Sequence, residues 1–480
     1  MNADKLIAIV KNTANRNDSR VYIVGGYLRD SLLKKENISD LDFVVYGDAK
    51  KLAKAFAKAT KGSFVELSDA FNIYRVVSKD GIICDFSRGR GKTINDDLKK
   101  RDFSINALAR DVNRTELIDD FGGLKDLQQK VIREIAGKTT FKDDPLRLLR
   151  AVRFAATLGF KLTPKTSGNI KALSALITKP AKERVRDELL KVFETKNSAD
   201  YIVLSDKLGL LEKIFPLIKE MKGVSQPGFH HLDVFGHSLE TLNRLEEISE
   251  DLDFSLSKEI KTLIREKMAQ KLGQFRRITF LKLIALLHDS GKPKTKSKDK
   301  KGTHFYNHEL IGAENFKKTG KQIKLSNEEI DLGVTVIKCH LRTGYLSGLK
   351  KISKRAVYKF FRDAGDAAVE LLLLSWADRL SAQGVKVDKK TLSHHKKIIE
   401  ALFKEYYRVA TVKQAAPLLN GHDIMKHLKL PPSPVIGKLL DKVKEAQATG
   451  KISTKQEALN YLKKGSHGTN GTFASQYSSK

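Results

Sequence analysis

Apolar and polar positions change rhythm once along this chain. Between residues 21 and 120 the apolar residues come in short runs, VYIVGG, LDFVVYG, SFVELS, YRVVSK and GIICDFS, which read as strands. LAKAFAKAT, between the second and third runs, repeats its apolar residues at helical spacing, and so does the opening MNADKLIAIVKNTANRNDSR. From Asp143 onwards strand signals almost vanish. DPLRLLRAVRFAATLGF, GNIKALSALI, KERVRDELLKVFET and SADYIVLSDKLGLLEKIF carry apolar residues at i, i+3 and i+4, with Gly or Pro between them. This pattern predicts a mixed, antiparallel-rich sheet backed by helices, followed by an all-α remainder. The fold class expected is α+β.

The first two strand runs and their connection, VYIVGGYLRDSLLKKENISDLDFVV, read as strand, Gly25–Gly26 turn, short helix, loop and strand. The second strand begins on Asp40 and Asp42. Residues i and i+2 of a strand share a face, so the two carboxylates project together. They repel unless a cation lies between them, and paired carboxylates that share Mg²⁺ with substrate phosphates are usual in phosphoryl and nucleotidyl transfer. A bare Asp-x-Asp is more often a solvated strand end. Here a glycine turn with Arg29 and Asp30 stands upstream, and its N–H groups and helix start suit phosphate. Asp85, between apolar neighbours in GIICDFS, is a third carboxylate whose partner would be the metal or an attacking 3′-hydroxyl.

Charge adds a partner class. Lys and Arg number 89 against 57 Asp and Glu, a net +32 that predicts affinity for polyanions. At 480 residues the chain is too long for one core, so two to four domains are expected. Cys84 and Cys339 alone exclude a disulfide framework and fit a reducing cytosol. No apolar run reaches the roughly 18–20 residues needed to span a bilayer, and the opening stretch lacks a signal-peptide core. The expectation is a soluble cytoplasmic protein with no membrane partner. The lysine-rich runs 292–302 and 350–363 read as solvated faces or RNA contacts, and GSHGTNGTFASQYSSK as a disordered tail.

GGYLRD followed by SDLDFVV resembles the head signature of class II tRNA nucleotidyltransferases and bacterial poly(A) polymerases, which extend RNA 3′ ends on a polymerase-β-like palm. The resemblance implies Mg²⁺ on Asp40 and Asp42, and the nucleotide's triphosphate on Gly25, Gly26 and Arg29. DLKKRDFSINALA is similar to the family's second block, with Lys100 and Ser104 as mild departures, which makes Arg101, Asp102 and Asn106 nucleotide-binding candidates. DDPLRLLRAVRFAA resembles the neck-entry block. Pro145 suits a first helical turn capped by Asp143 or Asp144, and the resemblance makes Asp144 a nucleotide-binding candidate as well. Arg147, Arg150 and Arg153 follow at i, i+3 and i+6, and Arg150 with Arg153 forms a cationic pair suited to a triphosphate. In KERVRDELLKVF, Glu183, Arg184, Arg186 and Asp187 are left open as readers of the base edge. The link GRGKTIN between CDFSR and DDLKKRD is short, as in members that add only the two cytidines, so C addition is favoured.

The helical half carries a second resemblance. His288–Asp289 ends an apolar run and precedes Ser-Gly-Lys-Pro, like the HD phosphohydrolase signature. His237, His288, Asp289 and Asp378 fit its order, and His308 and His340 suit a second metal. Such ligands favour Mn, Ni, Fe or Zn over Mg²⁺. The domains expected are a head over 1–140, a helical neck over 141–225, an HD domain over 226–385, a basic helical region over 386–464 and a tail over 465–480. The function expected is transfer of cytidine, with adenosine as a further option, from CTP and ATP to the tRNA 3′ end, with a separate A-adding enzyme as partner if only C is added. The rivals are a poly(A) polymerase and an RNA-binding HD phosphohydrolase built on an inactive head.

Overall fold

The computed structural model describes residues 3–35, 40–68, 72–226, 231–300, 302–384, 388–411 and 416–467. It divides into two compact units, Met1–Lys219 with Gln322–Lys324, and Glu220–Lys321 with Leu325–Lys480.

The first unit is built on a seven-stranded sheet. Its strands are β1 (Arg20–Val24), β2 (Asp40–Tyr46), β3 (Ser63–Ser68), β4 (Ile73–Val77), β5 (Ile83–Arg88), β6 (Ala109–Asp111) and β7 (Leu117–Ile118), in the order β3-β4-β5-β2-β1-β6-β7. Only the β2–β5 pairing is parallel. The middle strand β2 is apolar on both faces, with Leu41, Phe43, Val44 and Val45 all buried, because its neighbours and the flanking helices cover it. Phe43 stacks on Phe86 of β5 at 5.1 Å, and Phe56 of the helix Ala49–Thr60 leans on the same ring at 5.2 Å. Register then places the chemistry. Asp42 pairs with Val24 on one side and with Asp85 on the other, so the glycine turn after β1 begins beside the Asp42 carboxylate.

Two helices complete the first unit's chemistry. Arg147–Leu158 buries Leu148, Leu149, Val152 and Ala155 on one stripe and packs on Lys182–Phe193, whose stripe is Val185, Leu189 and Val192. Each such Leu or Val, fully buried, stabilises by about 1.5–3 kcal/mol. A short helix, Lys138–Asp143, precedes Pro145, and the next helix begins only at Arg147. Asp144 nevertheless caps the turn, its Oδ1 accepting from the Leu146 N–H at 3.2 Å.

The second unit is largely helical. Arg277–Leu287 is buried along nearly its whole length, the mark of a central helix. Its one mid-helix lysine, Lys282, is paired with Glu246 at 2.8 Å. The three last helices, Gly421–Leu428, Pro434–Ala448 and Lys455–His467, close over a small core of their own that includes Ile424, Ile436, Val443 and Leu462.

The remainder is not purely helical. Lys161–Leu162 pairs with Val131–Ile132, Lys271–Leu272 with Phe275–Arg276, and Lys296–Asp299 forms a hairpin with Gly302–Phe305. The hairpin overlaps the lysine-rich run 292–302, which reads from the sequence as a solvated face or an RNA contact. Its strands show no apolar alternation because neither is packed on a core. The helix Lys455–His467 runs three residues into the stretch expected as a tail, and residues 468–480 lie outside the described ones, as do 36–39 of the expected loop before β2. No helix among the described residues is long and apolar enough to cross a membrane.

Candidate functional sites

Asp40 and Asp42 stand on one face of β2 at its start, Asp40 exposed and Asp42 half-buried, as strand periodicity requires. They open on a cavity of about 490 Å³ lined also by Gly25, Gly26, Arg29, Arg101, Asp102, Asn106, Arg150 and Arg153. Burial holds the Asp42 carboxyl above the usual carboxylate range, Asp85 and Asp40 adding to the shift and Arg101 opposing it. Among the described residues neither Asp40 nor Asp42 has an ion pair. Gly25 adopts φ +70°, and a Cβ there would stand 2.9 Å from Arg101 Nη1 and 3.7 Å from Asp42 Oδ2. Two hard oxygen donors without a cation, beside a backbone that only glycine leaves open, fit a divalent ion carrying phosphate.

A chain of charged contacts ties the far wall of this cavity together. Arg29 holds Asp30 through two hydrogen bonds and donates to Asn106 Oδ1 at 2.6 Å. Asn106 donates to Asp102 Oδ1 at 3.0 Å, and Arg150 holds Asp102 Oδ2 at 2.8 and 3.1 Å. Burial pushes the Asp102 carboxyl up, but Arg150 and the hydrogen bonds outweigh it and hold it below the usual range. Arg150 and Arg153 lie over Phe154 at 5.3 and 3.8 Å, and Arg29 reaches the same ring at 5.1 Å. Three guanidiniums are thus stacked on one buried ring. Arg147, the first of the three arginines of its helix, turns away and binds the backbone oxygens of Lys100 and Thr140.

Several expected residues stand elsewhere. Asp85 lies next to Asp42 in register, but Arg75 of β4 clamps both its oxygens at 2.8 Å, so its charge is already met. Asp144 does not line the cavity and faces Arg184 at 3.4 Å. Glu183 and Arg184 are exposed, and Arg186 pairs with its neighbour Asp187 at 2.7 Å; none of the four lines the cavity. Their neighbour Glu188 is the residue that the sequence reading missed. It is buried, with Oε2 at 2.6 Å from Arg153 and Oε1 at 3.5 Å from Arg150. The available signal was its place on the apolar stripe Val185, Glu188, Leu189, Val192, where a carboxylate needs a buried partner.

The second unit brings His237, His288, Asp289, His308, His340 and Asp378 into one cluster from separate elements. His288 and Asp289 follow the central helix, His237 and Asp378 lie within two others, and His308 and His340 stand at helix ends. Each imidazole is oriented through Nδ1: His288 to Ala285 O at 2.8 Å, His308 to Phe305 O at 2.7 Å, His340 to Ile337 O at 2.6 Å and His237 to Ser381 Oγ at 3.1 Å. A carbonyl acceptor fixes the proton on Nδ1, which leaves Nε2 facing inward as a ligand. The Nε2 atoms lie 3.3–3.8 Å from Asp289 or Asp378 oxygens, and 2.9 Å for His237 to Asp378. Ligand atoms of these residues fall in groups of three within 4.8 Å of one another. His288 Nε2 is buried without a hydrogen bond, and the buried Asp289 is met by ion-pair contacts alone, with Lys292 Nζ at 2.5 Å from its Oδ2. Buried and inward-facing, the set fits a divalent metal of the Mn, Fe, Ni or Zn kind.

Comparison with known proteins agrees with this geometry. The Poly A polymerase head domain family matches residues 21–91 and 84–133, a probable RNA- and SrmB-binding site of polymerase A matches 159–222, and tRNA nucleotidyltransferase domain 2 matches 305–462. The A-adding tRNA nucleotidyltransferase of Deinococcus radiodurans is 31% identical over 94% of this chain and 96% of its own length. The chain belongs to the tRNA nucleotidyltransferase family. The CC-adding tRNA nucleotidyltransferase of Synechocystis is 29% identical, with 92% of each chain covered. A CCA-adding enzyme solved with CTP shares the fold of this tRNA nucleotidyltransferase family member at TM-score 0.66, 22% identity and 96% coverage of this chain, 94% of its own.

Proposed function

We propose that this chain joins a nucleoside monophosphate from CTP or ATP to the 3′-hydroxyl of a tRNA, at the cavity headed by Asp40 and Asp42. The observation that carries the reading is that unpaired carboxylate couple, facing Arg29, Arg101, Arg150 and Arg153 across one cavity. Asp40 and Asp42 would hold a divalent ion, Mg²⁺ being the usual one, which would supply a lowered pKa at the attacking hydroxyl and offset charge on the α-phosphate. The turn at Gly25–Gly26 offers backbone to the phosphates, and the arginine wall holds the triphosphate so that pyrophosphate leaves in line. Gly25→Ala should raise the KM for the nucleotide roughly tenfold, with a smaller change in kcat, in steady-state incorporation.

The base added is read from the link after β5. Residues 89–95 are short and pinned: Arg90 pairs with Asp97 at 2.8 Å, Thr93 caps the next helix, and the Tyr46 hydroxyl donates to the Thr93 carbonyl. A link held this way favours one base, and its length favours C. The 31% identity to an A-adding relative supports the second reading, addition of A alone. The test is incorporation into tRNA transcripts ending before CCA, after C and after CC, with Mg²⁺ and CTP, ATP or both. Addition that stops at CC supports the first reading, use of ATP only after CC the second, and long A tracts overturn both. The +32 charge also predicts that tRNA affinity falls steeply with salt, and a flat dependence contradicts phosphate-backbone binding.

The His/Asp cluster of the second unit is proposed as a hydrolytic metal site for phosphate esters. Four imidazoles oriented from behind, facing the carboxylates of Asp289 and Asp378, support it. Purified chain should carry a divalent transition metal that His288→Ala loses, read by elemental analysis.

A further inference from the structure

The His/Asp cluster has a wall that holds no metal ligand. Lys292, three residues after Asp289, is 6% exposed, and its Nζ lies 2.5 Å from Asp289 Oδ2. The same ammonium donates to Gln226 Oε1 at 2.5 Å and faces the Phe305 ring at 5.7 Å. Gln226 is 3% exposed, and its Nε2 is a buried donor with no partner among the described residues. Lys292 takes the amide's Oε1, which leaves its Nε2 as a donor without an acceptor. A buried ammonium and a buried, unanswered amide N–H side by side call for an acceptor with more than one oxygen.

We propose that Lys292 and Gln226 form a phosphoryl-oxygen subsite beside the His/Asp cluster, which takes the non-bridging oxygens of a phosphate ester. The proposal rests on reading the cluster as a metal site. Asp289 has two oxygens, and Lys292 stands on one of them while His308 and His340 approach the other at 3.4 and 3.8 Å. A divalent ion on Asp289 would leave two cations adjacent in a buried place, and an anion between them removes that repulsion. Both members of the wall offer donors, which suits an oxyanion and not a sugar or a base edge. Lysines continue outward from it. Lys296 Nζ bonds Ser225 Oγ, next to Gln226, and Lys298 follows on the same face of the hairpin strand.

The competing explanation is an ion pair that only braces Asp289, and the two differ in what Lys292→Gln does to metal. Full-length chain, stripped by chelator, is titrated with Mn²⁺ alone, and the Mn²⁺-loaded chain with inorganic phosphate, both by calorimetry. His288→Ala is the blank for ions bound elsewhere. The expected result is Mn²⁺ binding kept or tightened in Lys292→Gln, with phosphate affinity down roughly tenfold there and severalfold in Gln226→Leu. Lys292→Arg keeps most of it. Phosphate affinity within about twofold of wild type in Gln226→Leu and Lys292→Gln, with Mn²⁺ still bound, overturns the subsite and leaves the metal reading standing. Loss of Mn²⁺ from a Lys292→Gln chain that still melts as wild type overturns it in favour of the brace. A wild-type chain that binds no more Mn²⁺ than His288→Ala overturns the metal reading and the subsite with it.

Discussion

Asp40→Asn combined with Asp42→Asn is expected to abolish nucleotide incorporation while tRNA binding survives. Among the described residues these carboxylates are the acidic groups of the cavity left unpaired by arginine or lysine, so removing both takes away the groups placed to hold a divalent ion at the phosphates. Metal neutralisation of a transferring phosphoryl group supplies several kcal/mol, and at 1.36 kcal/mol per decade the loss is roughly a thousandfold or more. Binding of tRNA draws instead on the excess of 89 basic over 57 acidic residues, which the double variant only increases. Unchanged incorporation in a tRNA-extension assay would remove the metal assignment. Asp42→Asn alone carries a second signature. Its folded-state pKa is raised by burial, so the ionised form costs the folded chain stability above that pKa and nothing below the unfolded value. The metal-free Asp42→Asn chain should therefore melt above wild type at pH 7.5, with the gap closing as the pH falls through the raised folded-state pKa towards about 4 and absent below it. A variant that melts lower at pH 7.5 would show Asp42 to be satisfied in the folded state.

Which parts of this were legible depends on how far each residue's role is set by its own segment. The Asp40/Asp42 couple is a strand fact, fixed by a period of two, and the sheet delivers it beside Gly25 because Val24 pairs with Asp42. The change from strand to helix near Asp143 is equally local, being carried by apolar spacing. Asp85 shows where local reasoning stops: its neighbour in register is Asp42, but the Arg75 guanidinium that takes both oxygens comes from the next strand over, and no spacing announces it. The hairpin Lys296–Phe305 was illegible for the opposite reason, since its first strand is exposed throughout and its second half-buried at every position, which leaves no apolar period to read. The His/Asp cluster was legible in the order of its residues, which resembles the HD signature. What the sequence withheld there was the carbonyls and the Ser381 hydroxyl behind the Nδ1 atoms and the ammonium of Lys292 on Asp289, which exist only once the helices pack.

Glu188 gives the sharpest test of the helical wall. Glu188→Ala removes the carboxylate that bridges Arg150 and Arg153, and two guanidiniums beside Phe154 are left to repel each other. Breaking a fully buried pair costs about 3–5 kcal/mol. Here the Arg150 and Arg153 side chains keep 31% and 16% of their exposure and Arg150 retains Asp102, so roughly 1–3 kcal/mol is the discounted expectation. The functional effect should exceed the structural one. Arg153 gives only its Nε to Glu188, and among the described residues its terminal nitrogens make no hydrogen bond, so the carboxylate aims those donors into the cavity. Glu188→Ala should raise the nucleotide KM by about a hundredfold if two charge-assisted contacts are misplaced, with a larger effect on nucleotide than on tRNA affinity. Glu188→Gln keeps the acceptor oxygen and the shape but not the charge, and should recover most of the melting temperature while recovering nucleotide affinity only in part. Equal recovery of both would make Glu188 a packing residue. Recovery of stability without affinity would make it the residue that positions the arginine pair.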